Sequence, residues 1–414
     1  MTNVGDTMNR GRFVKVAAAG GLAVAAPLAS ARTARAASRI ALKVGVMVPT
    51  GASYGSMGRS LVDGLRHGFD DSTAVDVTLV TRDVARGYEG AEATARALLD
   101  DGSDVVVAGV SALVAARLGG LFAERQAALV VADVGGHVVQ AAARNPFVLH
   151  NSLLYWQASF AIGQWAAANV GRRAVTGSSL CDSGYDTVYA FRRGFESAGG
   201  TIVGDAVTHV DPADNGLSDL FATVRSAVPN VVYGLYSGAE AVEFVAAHAA
   251  SGVSAKLVVG SFAAEDFLLS AIGDAAVGAT SCASWTATRN TKANQSFGKA
   301  FKTRTGRRPD PFAALGYDTG ALVAEGARRA TKHGLGLRRL IEALSGVSTD
   351  GPRGTLLVDP ATNTVVGPLF VREVRRGPAN YDLAPAPDVV SSPDALSSLE
   401  TNPRSGYVNE YLCA

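Results

Sequence analysis

The residues with the clearest chemical potential stand in one short stretch, KVGVMVPTGASYGSMGRSLVDGLRHGF, from Lys43 to Phe69. It reads as a strand, a glycine-rich turn and a helix. The glycines of the turn, Gly51, Gly55 and Gly58, are four and three apart. A dinucleotide fingerprint needs two and three, and a phosphate loop needs Gly-Lys-Ser/Thr. The turn instead carries Ser53, Tyr54 and Ser56. Hydroxyls, one ring and the N–H groups of a helix start suit a small polar or carboxylate-bearing organic molecule. A plain tight turn with an exposed Tyr54 would use the same residues.

Other reactive residue types do not assemble into a catalytic set. His137 and His150 are the histidines near the ends of predicted strands, and no nucleophile stands with a base and an orienting acid at a recognisable spacing. Cys181, beside Asp182, could be nucleophilic, although a disulfide or a buried thiol is the commoner use. Cys181, Cys282 and Cys413 allow one disulfide and leave one thiol over. Their spacing is wrong for zinc, and the six histidines are scattered. We expect no metal, no cofactor and no enzyme activity.

The elements that would position these residues alternate regularly. Short β-branched runs at Leu42–Val48, Asp76–Thr81, Val105–Ala108 and Ala128–Ala132 are separated by helical patterns, and the rhythm repeats at Arg173–Ser178, Thr201–Val207, Val231–Tyr236, Lys256–Val259 and Ala279–Ser284. Alternation of this kind implies parallel sheets covered on both faces. Two such runs predict an α/β protein with two Rossmann-like lobes and a cleft between them. Past the second run the pattern changes to long helices at Lys292–Gly306 and Tyr317–Lys332, joined by the loop Gly306–Pro311. A strand pair, Gly354–Asp359 and Val365–Val374, follows, and then a Pro- and Ser-rich coil from Gly377.

Residues 1–36 stand apart. A basic patch from Asn9 to Lys15 precedes an apolar run, Val16 to Ala31, too short to span a bilayer comfortably, and Ala34-Arg35-Ala36 is a small-x-small cleavage pattern. We expect an export signal and a periplasmic or extracellular mature protein. The patch is similar to a twin-arginine signal, with Gly11 at the second arginine, which leaves the export route open. Five cations and one anion leave with this segment, so 33 Lys and Arg face 36 Asp and Glu, a net charge of −3. Such a balance gives nucleic acid no basic surface.

The order of these pieces resembles the periplasmic leucine/isoleucine/valine-binding family, solute receptors of ABC importers. Lys43-Val44-Gly45-Val46 leads to Pro49, Gly51, Tyr54, Gly58 and Asp63-Gly64-Leu65. The likeness continues through Thr81-Arg82-Asp83, Val107 to Ser111, Asp182 to Tyr185, Pro309 and Gly316-Tyr317-Asp318. It implies the type I periplasmic-binding fold, with three crossovers between lobes. The expected division is residues 40–155 with 286–355 in the first lobe, 156–285 with 356–376 in the second, and 377–414 as an extension. Ser111 falls where the family's serine and neighbouring N–H groups take a carboxylate, and Asp133 to Gly136, with Gly135 at its centre, falls where backbone groups complete that clamp. Tyr185 and Tyr236 match tyrosines lining the site from the second lobe. Phe262 replaces the glutamate that holds the ligand's ammonium in amino-acid binders. An amine would then fall to Asp133, Asp182 or a shifted Glu265, or the ligand has none. Trp156, in a Trp-Gln pair at the first crossing, lines the cleft mouth or packs the hinge; Trp285 packs.

The partners implied are a small-molecule ligand and a membrane permease with its ATPase, the receptor acting as a monomer. A sensor of the same fold is the alternative. A secreted oxidoreductase built on one Rossmann-like half would need the missing glycine fingerprint.

Overall fold

A computed structural model of the chain describes residues 39–51, 55–84, 87–137, 144–184, 186–377 and 381–391, and the segment expected as an export signal lies outside them. The chain forms two sheets. The first contains β1 (Ile40–Val48), β2 (Val75–Asp83), β3 (Val105–Ala108), β4 (Ala128–Asp133) and β5 (Val148–Ser152), with β11 (Ser348–Gly351), β12 (Gly354–Asp359) and β13 (Thr364–Val366) added at one side. The second contains β6 (Arg173–Ser179), β7 (Thr201–Thr208), β8 (Val231–Leu235), β9 (Lys256–Val259), β10 (Thr280–Ala283), β14 (Pro368–Arg376) and β15 (Tyr381–Ser391).

Each sheet has the same parallel centre. The first runs β2-β1-β3-β4-β5 and the second β7-β6-β8-β9-β10, so both place their first strand second in order. Strands such as Val-Val-Val-Ala at β3 and Val-Val-Tyr-Gly-Leu at β8 are buried throughout, as strands covered by helices on both faces must be.

Helices α1 (Gly55–Asp70), α2 (Gly87–Asp100) and α3 (Ala112–Arg125) belong to the first run, and α4 (Tyr155–Asn169), α5 (Thr187–Ser197), α6 (Leu217–Ala227), α7 (Gly238–Ala250) and α8 (Asp266–Ile272) to the second. The chain then returns through α9 (Lys292–Thr305), α10 (Pro311–Lys332) and α11 (Leu340–Leu344). Each lobe carries one helix pair in backbone contact. A methyl group at Gly64 would sit 2.0 Å from the Ala313 carbonyl oxygen, and one at Gly316 2.1 Å from that of Leu61, so α1 and α10 touch where only glycine fits. In the second lobe Gly194 of α5 meets the Phe160 carbonyl of α4 in the same way, at 1.9 Å.

Four elements depart from the sequence reading. β5, absent from the strands expected from sequence, is an inner strand of the first sheet; its His150, Asn151 and Ser152 are polar yet buried, which hid it. α10 starts six residues before the expected Tyr317, because Asp310 caps it by accepting from Ala313 N at 2.9 Å and Pro311 opens the first turn. The expected strand Val365–Val374 breaks at Gly367, so that β12 and β13 both lie in the first sheet and only β14 in the second. Part of the expected coil after Gly377 is β15, antiparallel to β14.

The chain passes between the sheets three times, after β5, after β10 and at Gly367. Buried polar contacts tie these passages together. Ser284 Oγ donates to the Leu153 carbonyl at 2.9 Å, and Arg353 Nη1 donates to that of Ser152 at 2.6 Å. Arg353 is paired with Asp318 at 2.7 Å, and Arg372 with Glu265 at 2.7 Å, all four side chains almost fully enclosed. The carboxyl ends of β5 and β10 therefore meet at the crossings.

Candidate ligand-binding site

In open parallel sheets, ligands bind beyond the carboxyl ends of the strands, and here those ends face the passages between the lobes. On the first lobe three segments converge. Ser111 is the N-cap of α3, its side chain accepting from Val114 N at 3.3 Å, which leaves the first N–H groups of the helix directed outward. Asp133 ends β4. Gly135 follows with φ +72°, and a methyl group there would lie 2.4 Å from Ser152 Oγ, so the turn accepts glycine only. The carbonyls of Val134 and Gly135 accept the N–H groups of Tyr155 and Trp156, at 3.1 and 2.9 Å, and so fasten this loop onto the start of α4 in the other lobe.

Beneath that loop lies a recess of about 10 Å³ lined by Asp133, His137, His150, Ser152, Gln157 and Thr364. Asp133 keeps part of its surface open while lying deep in the protein; desolvation lifts its carboxyl to about 7, against the N–H of Gly135, which favours the charged form. His150 is pushed down to about 4 by burial and His137 is lowered for the same reason, so both imidazoles are neutral at pH 7. Gln157 Oε1 and Thr364 Oγ1 are buried and have no hydrogen-bond partner among the described residues.

On the second lobe the corresponding strand ends hold Asp182. Its carboxylate accepts from Ser237 Oγ at 3.0 and 3.1 Å and from Ser179 Oγ at 3.2 Å, and burial raises it to about 6 in spite of these bonds. Glu265 is not available to a ligand's ammonium, because Arg372 holds it.

The aromatic residues expected at the cleft are differently placed. Trp156 is 1% exposed, donates Nε1 to Asp186 at 3.0 Å and stacks on Phe160, which makes it packing between α4 and α5. Tyr236 is 1% exposed as well; its ring stacks on Phe244 at 4.2 Å and its hydroxyl meets Thr208 Oγ1 at 3.0 Å. It supports the second lobe's core rather than a ligand face. Trp285 packs on Phe297, as expected, with Nε1 donated to Asn294 at 2.8 Å. Tyr54, Tyr185 and the side chain of Phe262 lie outside the described residues. Cys181 is exposed, Cys282 is buried, no disulfide joins the two, and Cys413 lies outside the described residues.

Sequence reasoning missed Ser152, Thr364, Ser179 and Ser237. Each is a common residue at a strand end or within a strand, and only the sheet order shows that Thr364 lies beside His150. Among the described residues no group of His, Cys, Asp and Glu could hold a metal ion, and no helix is long and apolar enough to cross a membrane.

Two doubly wound lobes, three passages and polar groups at the facing strand ends define a two-lobed binding protein. Residues 41–379 match the family model described as periplasmic binding protein, and the chain belongs to that family. The Leu/Ile/Val-binding protein homolog 6 of Brucella melitensis is 23% identical over 238 residues, 56% of this chain and 60% of the relative; the chain thus matches less than two thirds of the length of such curated relatives. An ABC transporter substrate-binding protein from Sphaerobacter thermophilus has the same fold, with a TM-score of 0.77 and 23% identity over 85% of this chain and 98% of that one. A solute-binding protein of an ABC transporter from Rhodopseudomonas palustris BisB5, solved with 3,4-dihydroxybenzoic acid, gives 0.73 and 23% over the same shares.

Proposed function

We propose that the protein is an exported receptor that captures a small carboxylic acid between its lobes and delivers it to the permease of an ABC importer. The observation that carries this reading is the cluster at the first lobe's strand ends: the α3 N-terminus beside the Asp133–Gly135 turn, opening onto a recess with unmet polar atoms. Helix-start N–H groups favour a carboxylate. Ser111, Asp133 and Gly135 make up this face; Tyr54 is assigned to the first lobe's opening loop, and Tyr185 and Phe262 to the opposing wall, by family likeness alone.

Two of the three carboxyls that could pair with an ammonium are already engaged, and the third, Asp133, is raised by desolvation at the end of β4. Asp182 is occupied by two serines and Glu265 by Arg372. The reading therefore favours acids without an α-amine, in keeping with the aromatic acid bound by the Rhodopseudomonas palustris protein, over the branched-chain amino acids named for the Brucella melitensis relative. Closure adds the second lobe's contacts to a ligand first held by the first, and the closed form is what a permease reads.

A thermal-shift screen of residues 37–414 against benzoates, short branched acids and amino acids tests this. The expected outcome is a rise in melting temperature with carboxylic acids lacking an amine, by mass action. A rise with amino acids alone would refute the ligand class, and no rise with any acid would refute the receptor reading.

A further inference from the structure

The recess under the Asp133–Gly135 turn is too small for a carboxylate or a ring. A volume of about 10 Å³ takes one atom the size of a water oxygen. Its walls are polar and enclosed: Gln157 is 4% exposed and Thr364 6% exposed, and Gln157 Oε1 and Thr364 Oγ1 have no hydrogen-bond partner among the described residues. A buried polar atom left unmet is costly, so whatever enters must bond to both.

The chemistry of the wall selects the occupant. Gln157 Oε1 and the neutral ring of His150 offer acceptor positions, whereas Thr364 carries a hydroxyl that can donate. A methyl group would leave Gln157 Oε1 and Thr364 Oγ1 unmet. An ammonium only donates, so the proton of the Thr364 hydroxyl would find no acceptor on it. A hydroxyl, of a ligand or of water, both donates and accepts, and it has the right size.

We propose that this recess is a hydroxyl subsite, and that the ligand is a hydroxylated carboxylic acid whose OH sits between Gln157 Oε1 and Thr364 Oγ1. The inference rests on the reading of the protein as a receptor for carboxylic acids. Gln157 leads off α4, the first helix of the second lobe, while Thr364 lies in β13 of the first sheet. A ligand hydroxyl bonded to both bridges an element of each lobe at the first crossing, and thus couples occupancy to lobe position.

Titration calorimetry on residues 37–414 tests the subsite with matched compounds: benzoate against 3- and 4-hydroxybenzoate, and 4-methylpentanoate against 2-hydroxy-4-methylpentanoate and leucine. The expected result is that, in at least one series, the hydroxylated acid binds about tenfold or more tighter than its parent and than the amine. Thr364→Val and Gln157→Leu should each weaken the hydroxylated acid about fivefold or more and leave the parent within about twofold, whereas Thr364→Ser should retain the preference. Equal binding of parent and hydroxylated acids, or equal loss of both in the variants, overturns the subsite and leaves the receptor reading standing. Tighter binding of leucine than of its hydroxy analogue also overturns it. Binding of none of these acids overturns both.

Discussion

The two lobes share a strand order but differ at the ends of their strands. In the second lobe the polar groups around Asp182 are already satisfied: Asp182 is held by Ser179 and Ser237, and the hydroxyl of Tyr236 by Thr208, while the unmet buried hydroxyls of that lobe, among the described residues, belong to Thr187, Thr280 and Ser281. In the first lobe Gln157, contributed across the crossing, and Thr364 are left unmet around Asp133. Satisfied groups lose little when a ligand is absent, and unmet ones gain most when it arrives. On the proposed reading, this difference gives first capture to the first lobe and closure to the second.

The largest expected effect tests whether the lobes are equally built. Gly64→Val or Gly316→Val in the first lobe, and Gly194→Val in the second, force side-chain atoms into backbone carbonyls about 2 Å away. Each should cost more than about 3 kcal/mol, beyond ordinary overpacking, because backbone cannot yield as side chains do. Denaturant titration measures the loss; a shift below about 1 kcal/mol at any of the three would show that its helix pair can part freely.

Next come the buried ion pairs at the crossings. Arg353→Met strands Asp318 without its partner and should cost about 3–5 kcal/mol, and Arg372→Met should do the same to Glu265. Restoring neutrality with Asp318→Leu in the Arg353→Met background should recover most of the loss. A double variant no more stable than the single one would mean that Arg353 acts through the Ser152 carbonyl and Asn151 instead.

The two carboxyls separate the lobes by pH. Asp133 and Asp182 are raised by burial, to about 7 and about 6. In the folded protein each holds its proton to higher pH than in the unfolded chain, so stability falls as pH rises from about 4 and the cost is complete above the folded pKa. Asp133→Asn should therefore be more stable than the parent at pH 8, by about 1–2 kcal/mol, with the gain vanishing near pH 4. Asp182→Asn should gain less, since its serine bonds favour the ionised form. Melting curves across pH 4–8 would contradict this if either variant gained stability toward low pH.

The smallest effect concerns the hinge. Ser284→Ala removes one hydrogen bond to the Leu153 carbonyl and should cost about 1 kcal/mol, with little change in ligand affinity. A large loss of affinity would place Ser284 in ligand binding itself.

Much of the fold was legible because buried parallel strands must be continuous apolar runs, as at Val105–Ala108 and Val231–Leu235. β5 was not, since His150, Asn151 and Ser152 are buried by neighbours that local sequence does not reveal. The start of α10 was obscured by reading Pro311 as loop when it is the first helical residue. Of the candidate site, Ser111, Asp133 and Gly135 entered through the family resemblance, which places them after the third and fourth strands. Trp156 and Tyr236 could not be placed from sequence, because a ring with one polar atom serves a core as well as a cleft. Thr364 was invisible: more than 200 residues separate it from His150, and only the sheet joins them.

The most direct test of unequal lobes is stopped-flow binding of the hydroxylated acid that gives the largest thermal shift, comparing Gln157→Leu and Thr364→Val with Ser237→Ala. The account predicts that the recess variants lose affinity by about fivefold or more while Ser237→Ala alters mainly the dissociation rate, through a weakened closed state. A recess variant that binds like the parent protein, beside a Ser237→Ala variant that no longer associates, would contradict it.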